Sequence, residues 1–290
     1  MSLVVGLLSP GDMGSAVGKR IADHGGRVVT CLEGRSARTK GLAEAAGIDA
    51  VDSFESLVKT SDLVISILVP SESSRAASRV AAAIEQIGKG IPYTDCNAIA
   101  PSTAKTIAET IKSAGGNPID AGIIGGPPIG ESPNTRFYAS GPHADPFVEL
   151  NQYGLDVRVI GDEIGQASGL KMCYAASTKG TSALMLNLLI VAKRLNLYDA
   201  LIAEFEMSQR ARLTSLSGLN GVPSKSRRWI GEMEEIAKTF DEAGLTPYMF
   251  RGAAEVFRLV GGSSVADETP EDQDQNRTVE ALIEMLSAEE

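Results

Sequence analysis

A lysine set among small residues is the first group in this sequence that can do chemistry. The run Gly165-Gln166-Ala167-Ser168-Gly169-Leu170-Lys171-Met172 opens a long helical pattern and follows a stretch that reads as a dinucleotide-binding βαβ array. An ammonium on the first turns of a helix leaving such an array can act as general acid or base at a carbinol or carbonyl oxygen. Taken alone, a helical lysine is more simply a solvated side chain, and the motifs upstream reverse that balance.

Chief among them is Ser9-Pro10-Gly11-Asp12-Met13-Gly14, which follows the apolar run 3–8. The G-x-G-x-x-G frame of a pyrophosphate loop falls on Ser9, Gly11 and Gly14, with serine in place of the first glycine. Gly11 lets backbone approach a pyrophosphate, Gly14 lets the helix pack closely on the strand, and the helix N–H groups face the phosphates. Pro10 pre-sets the turn and partly compensates for the missing glycine. The next strand end selects the cofactor. It reads Leu32-Glu33-Gly34-Arg35-Ser36-Ala37-Arg38. Glu33 suits a free ribose hydroxyl and so NAD. Arg35, Ser36 and Arg38 together suit a 2′-phosphate, two planar guanidiniums beside a hydroxyl. The cluster favours NADP and leaves NAD possible.

These residues need strands and helices to position them. The first half alternates short apolar runs with helical patterns, the signature of a parallel α/β sheet. Strands are expected at 3–8, 27–32, 63–68, 91–95, 117–121, 136–140 and 157–160. Helices are expected at 14–24, 37–46, 54–60, 73–87 and 101–114. Beyond residue 164 the pattern is helical throughout. The expected architecture is a Rossmann-type dinucleotide-binding domain over 1–162 and an all-α substrate and dimerisation domain over 163–290.

Composition narrows the function. The 290 residues carry a net charge of -10, which argues against nucleic acid as a partner. Cys31, Cys96 and Cys173 are scattered without C-x-x-C spacing, so neither a disulfide framework nor a zinc site is expected, and a reducing, cytoplasmic setting is. No His/Cys/Asp cluster has metal-ligand spacing. The N-terminus lacks a basic leader. The apolar stretch 184–192 is broken by Asn187 and closed by Lys193-Arg194, which reads as a buried helix and not a membrane span.

Jointly, the motifs resemble the β-hydroxyacid dehydrogenases, the family of 3-hydroxyisobutyrate and 6-phosphogluconate dehydrogenases, and in particular a subgroup with a distinctive C-terminal domain. Gly11-Asp12-Met13-Gly14 resembles that family's cofactor loop. Ser66-Ile67-Leu68-Val69-Pro70 resembles the strand end lining its cofactor, which implies contacts from Leu68, Val69 and Pro70. Asp95-Cys96-Asn97 places Asn97 where the family has a polar group near nicotinamide and substrate. Asp120-Ala121-Gly122-Ile123-Ile124-Gly125-Gly126 resembles its substrate motif, and the run 165–171 resembles the approach to its catalytic lysine.

Departures qualify the resemblance. The serine of the substrate motif is Ile124 here, leaving the backbone N–H groups of Gly125 and Gly126 to meet a substrate. The asparagine expected four residues after the lysine is Ala175. Tyr174 shares the helix face of Lys171 by spacing and is either its replacement or a packing aromatic. Thr178 stands where decarboxylating relatives carry glutamate, which counts against their mechanism. Arg227 and Arg228 can clamp a substrate anion or pair with acids on their own helix.

The implied activity is hydride transfer between NADP(H) and a small hydroxyacid or its carbonyl counterpart, with Lys171 as proton relay and Asn97 and Tyr174 beside it. An imine reductase and a silent NADP(H)-binding module are the alternatives. Because 183–201 is apolar on more than one face, a homodimer packed through the helical domain is expected.

Overall fold

The computed structural model describes residues 3–131, 133–269 and 272–288. The chain divides into two compact units, Met1–Met172 and Cys173–Glu290.

The first unit is built on an eight-stranded sheet of order β3-β2-β1-β4-β5-β6-β7-β8. Its strands are β1 (Val4–Leu8), β2 (Arg27–Cys31), β3 (Asp49–Val51), β4 (Leu63–Ser66), β5 (Pro92–Asp95), β6 (Asn117–Ile124), β7 (Arg136–Ser140) and β8 (Val157–Gly161). Helices α1 (Asp12–Asp23), α2 (Ala37–Ala45), α3 (Phe54–Thr60), α4 (Pro70–Ile87), α5 (Pro101–Ser113) and the short α6 (Asp145–Val148) connect them. From β3 to β6 every pairing is parallel, and β6 meets β7 antiparallel. Successive strand residues feed different cores. Val5, Leu7, Leu63 and Ile65 join one apolar cluster with Val17 and Ile21 of α1. Leu8, Val64 and Tyr93 join another with Leu57 of α3 and Val80 and Ile84 of α4. Burial on both faces is what a parallel sheet between two helix layers requires.

Differences from the sequence expectation have local causes. The strand expected to end at 121 runs on to Ile124, held by its register with β7, where Ile123 opposes Phe137 and Ile124 opposes Arg136. Strand β3 is only three residues long and exposes Asp49 and Ala50, too short for a visible alternation. Helix α4 starts at Pro70 rather than at residue 73, because proline's fixed φ and missing N–H suit a first helical position.

The second unit is helical. Helix α7 (Gln166–Arg194) begins in the first unit and continues into it. It is followed by α8 (Tyr198–Ser208), α9 (Arg210–Leu216), α10 (Pro223–Glu242), α11 (Tyr248–Gly262) and α12 (Val279–Ala288). By length and composition α7 would suffice to cross a bilayer. Yet Met172 is fully buried in the first unit and Leu186 and Leu189 in the second, as in a core helix.

Candidate active site

The pyrophosphate loop owes its shape to two residues. Ser9 adopts a left-handed φ of 62°, the conformation a glycine would take most cheaply, and its carbonyl accepts the Gly11 N–H at 2.9 Å. A Cβ on Gly14 would lie 2.1 Å from that same carbonyl oxygen, so α1 can reach the strand end only with glycine there. A Cβ on Gly11 would meet nothing within 4 Å. The loop is therefore open on the Gly11 side, where the first-turn amides of α1 begin, with Met13 among its first residues. This open backbone at a helix N-terminus fits a pyrophosphate.

Around the loop, the strand ends of β2, β1, β4, β5 and β6 are consecutive in the sheet and point the same way. That carboxyl edge is where open α/β sheets bind ligands. Ser36 N-caps α2, its hydroxyl accepting from the Thr39 N–H at 3.2 Å. Arg38 reaches Asp12 Oδ1 at 2.5 Å, with both side chains about two-fifths exposed. An exposed pair of this kind is worth about 0–1 kcal/mol, so a phosphate can compete for Arg38. Arg35 is half-buried beside them. Glu33, the group that favours NAD, is drawn into an ion pair with Arg79 at 2.6 Å, and Arg79 itself stacks 3.9 Å over the Phe54 ring.

Asn97 is 1 % exposed. Its Oδ1 accepts from the Leu68 N–H at 2.5 Å and its Nδ2 donates to Ser66 Oγ at 3.0 Å. The side chain thus ties the end of β5 to the end of β4 and fixes the Leu68-Val69-Pro70 segment. Val69 stands exposed there, and Pro70 begins α4.

Lys171 is partly buried, and its Nζ donates to the Ile123 carbonyl at 2.6 Å, close to the end of β6. The approach is close because of Gly122, where a Cβ would lie 2.8 Å from Lys171 Cβ and 3.0 Å from the Ala167 carbonyl oxygen. Just beyond β6, Gly125 takes a φ of 114° and has no room for a Cβ against the Asn134 carbonyl oxygen. Gly125 and Gly126 are both exposed, so their backbone is open to a ligand.

Asp120 sets the start of α7. The side chain is 2 % exposed. Its Oδ2 accepts from the N–H groups of Gly165 at 2.8 Å and Ser168 at 3.0 Å, and from Ser140 Oγ at 3.0 Å, while Oδ1 accepts from Ser168 Oγ at 2.5 Å. Ser140 Oγ in turn accepts from the Ala167 N–H at 3.0 Å. A buried carboxylate at a helix N-terminus satisfies orphan donors and complements the helix dipole. Nothing in the D-A-G spacing revealed this duty, since the donors lie 45 and 48 residues away.

One strand over, burial raises the Asp95 carboxyl to about 7, with the Asp120 charge adding to the shift and the Asn97 N–H opposing it. The folded value lies above the unfolded one of about 4, so the native state holds the extra proton between those values. The stabilising contribution is complete below pH 4 and declines as pH rises through about 7. Between pH 5 and 8, urea unfolding should show wild type losing on the order of 2–3 kcal/mol relative to Asp95→Asn. Parallel pH profiles for the two proteins would contradict the assignment.

The remaining residues belong to the second unit. Tyr174 is 45 % exposed, and its carbonyl accepts from the Thr178 hydroxyl at 3.4 Å. Arg227 is committed structurally, its Nε to the Gly261 carbonyl at 2.8 Å and its Nη2 to Asp267 at 2.7 Å. Arg228 lies 3.7 Å from Glu232 on its own helix, the acid pairing that the spacing allowed.

A glycine-bent loop, a helix N-terminus and a lysine gathered on one sheet edge define a nicotinamide-dinucleotide-binding domain of an oxidoreductase. Residues 4–146 match the NAD binding domain of 6-phosphogluconate dehydrogenase, and residues 192–260 match a domain of unknown function, DUF1932. An uncharacterized 28.5 kDa protein of Methanothermus fervidus is 30% identical, over 88% of this chain and 98% of its own. The solved structure of conserved protein MTH1747, described as similar to 3-hydroxyacid dehydrogenases, shares 30% identity over 89% of this chain and 99% of its own, with a TM-score of 0.64. 3-Hydroxyisobutyrate dehydrogenase from Salmonella typhimurium has the same fold, at 17% identity, 98% and 99% coverage and a TM-score of 0.68. The chain belongs to the β-hydroxyacid dehydrogenase family.

Proposed function

We propose that the protein transfers a hydride between NADP(H) and a small hydroxyacid or its carbonyl counterpart, with Lys171 relaying the proton at the substrate oxygen. The observation that carries this reading is the Lys171 ammonium, 2.6 Å from the Ile123 carbonyl and close to the exposed Gly125-Gly126 backbone. The bound nicotinamide supplies the hydride chemistry. Ser9, Gly11, Asp12, Met13 and Gly14 would hold its pyrophosphate. Lys171 donates to a carbonyl oxygen in reduction and takes the proton back in oxidation. The Gly125 and Gly126 amides orient the substrate, and Asn97 holds the Leu68–Pro70 wall in place. NADPH absorbance followed against hydroxyacids, aldehydes and cyclic imines tests the class. Turnover of hydroxyacids or aldehydes is expected. Imine turnover alone would make the protein an imine reductase, and tight binding without turnover a silent module.

Preference for NADP(H) rests on Arg35, Ser36 and Arg38. Arg35→Ala should weaken NADPH by roughly 1.5–3 kcal/mol, the worth of a charge-assisted hydrogen bond, and barely affect NADH. Equal losses in titration calorimetry would count against the 2′-phosphate pocket.

A homodimer through the helical unit is part of the same proposal. Leu184, Val191, Leu195 and Leu197 are exposed and line an apolar groove of about 510 Å³ together with Leu188 and Leu201. An apolar surface of this kind marks a protein contact. Light scattering at micromolar concentration should give a dimer, and Leu195→Asp a monomer. A wild-type monomer with full activity would contradict it.

A further inference from the structure

Glu33 stands where the two nicotinamide cofactors differ. It follows closely on Cys31, the last residue of β2, and an acid at that strand end accepts from the ribose hydroxyls of NAD. Toward a 2′-phosphate the same carboxylate is a like charge, which disfavours NADP. An unmasked Glu33 would therefore oppose the Arg35, Ser36 and Arg38 cluster that follows it in the chain.

The carboxylate is masked from the far side of the sheet edge. Arg79 of α4 donates from Nη2 to Glu33 Oε2 at 2.6 Å, across 46 residues of chain. Its guanidinium carbon lies 3.9 Å from the centroid of the Phe54 ring. That ring is itself fixed. Phe54 is 7 % exposed and packs in the core shared by α3 and α4. It opens α3 directly after Ser53, whose hydroxyl caps the helix by accepting from the Ser56 N–H at 3.1 Å. Both members of the ion pair are substantially exposed, and an exposed pair alone gains little because two long side chains must be ordered to make it. Stacking on Phe54 changes that balance. It holds the planar guanidinium in place, so that Glu33 meets a cation already positioned.

We propose that Arg79 is a specificity-determining residue for the cofactor, masking the Glu33 carboxylate so that a 2′-phosphate is accepted at the end of β2. The pairing cancels the formal charge of Glu33. It also occupies one of the carboxylate oxygens that ribose hydroxyls use, so the same contact works against NAD(H). This role rests on the proposed NADP(H) preference: Arg35, Ser36 and Arg38 hold the phosphate, and Arg79 removes the charge that would repel it.

Calorimetric titration of NADPH and NADH at one ionic strength tests the role in wild type, Arg79→Met, Glu33→Gln and the double variant. Methionine keeps an unbranched stem over the Phe54 ring and removes the charge and the donors. Arg79→Met should raise the ratio of the NADPH to the NADH dissociation constant at least ~10-fold, the lower end for a hydrogen bond to a charged group. In the Glu33→Gln background the same substitution should move the ratio by no more than about 2-fold, the scatter of independent sites, because no carboxylate is left to mask. A ratio unchanged by Arg79→Met, including equal weakening of both cofactors, would overturn the role. So would a shift of equal size in both backgrounds, which would make Arg79 a direct phosphate ligand. The two readings separate cleanly. A wild type that prefers NADH, with the Arg79→Met shift still present and still dependent on Glu33, would refute the Arg35, Ser36 and Arg38 pocket and uphold Arg79.

Discussion

Asp120→Ala should be the most destabilising single substitution in the dinucleotide-binding unit, lowering stability by about 3 kcal/mol. The carboxylate accepts four hydrogen bonds in a dry environment. Its removal strands two backbone N–H groups at the start of α7 and two serine hydroxyls. Each unmet buried donor costs about 1–3 kcal/mol, and the hydroxyls recover part of that by turning to each other. Asp120→Asn should recover at least half of the loss. Its remaining oxygen can serve the two N–H groups and Ser140, and Ser168 Oγ can turn and accept from the new amide. Denaturant unfolding of the three proteins gives the order wild type, Asn, Ala. An alanine variant as stable as wild type would show that α7 is anchored elsewhere. Where Asp120→Ala still folds, turnover should fall with it, because the turns that carry Lys171 start at this cap.

Lys171→Met should lower turnover at least ~100-fold, the lower end for removing a general acid or base, while the protein still folds and keeps NADPH affinity near wild type. Methionine keeps the length and most of the apolar stem that packs against Gly122, so the fold has little reason to change. The Nζ–Ile123 hydrogen bond that is lost goes to a backbone carbonyl, and a bond of that kind is worth about 1–3 kcal/mol at most. Near-normal turnover would remove the lysine from the reaction and raise Tyr174 in its place.

The parts of this molecule that were legible in the sequence are those written in local patterns. Short apolar runs located every strand but β3, and the Gly11-Asp12-Met13-Gly14 loop located the helix that must meet the phosphates. The first position of that loop shows how far such reading goes: serine looked like a defect, and Ser9 takes the left-handed conformation all the same. What stayed hidden depends on partners far apart in the chain. Asn97 read as a polar group near nicotinamide and substrate, and nothing in its spacing showed its further duty, an amide that spans 29 residues to Leu68 and braces a loop. Asp120 read as part of a substrate motif, whereas it caps a helix 45 residues on. Lys179 drew no notice because its partner, Glu232, is 53 residues away. Arg227 offered a substrate clamp by residue type, and only the folded helices bring Gly261 and Asp267 to it. Residue type and spacing thus expose groups that act along one element, and conceal groups whose work is to join two.

The central claim, that Lys171 moves the proton while the nicotinamide moves a hydride, has one direct measurement. NADPH carrying deuterium at the transferred position is incubated with the carbonyl compound that turns over fastest, using wild type and Lys171→Met side by side, and the product is analysed by mass spectrometry. The account predicts one deuterium on the carbinol carbon with wild type and at least ~100-fold less labelled product with the variant. Equal labelled yields from the two proteins, or an unlabelled product from wild type, would contradict it.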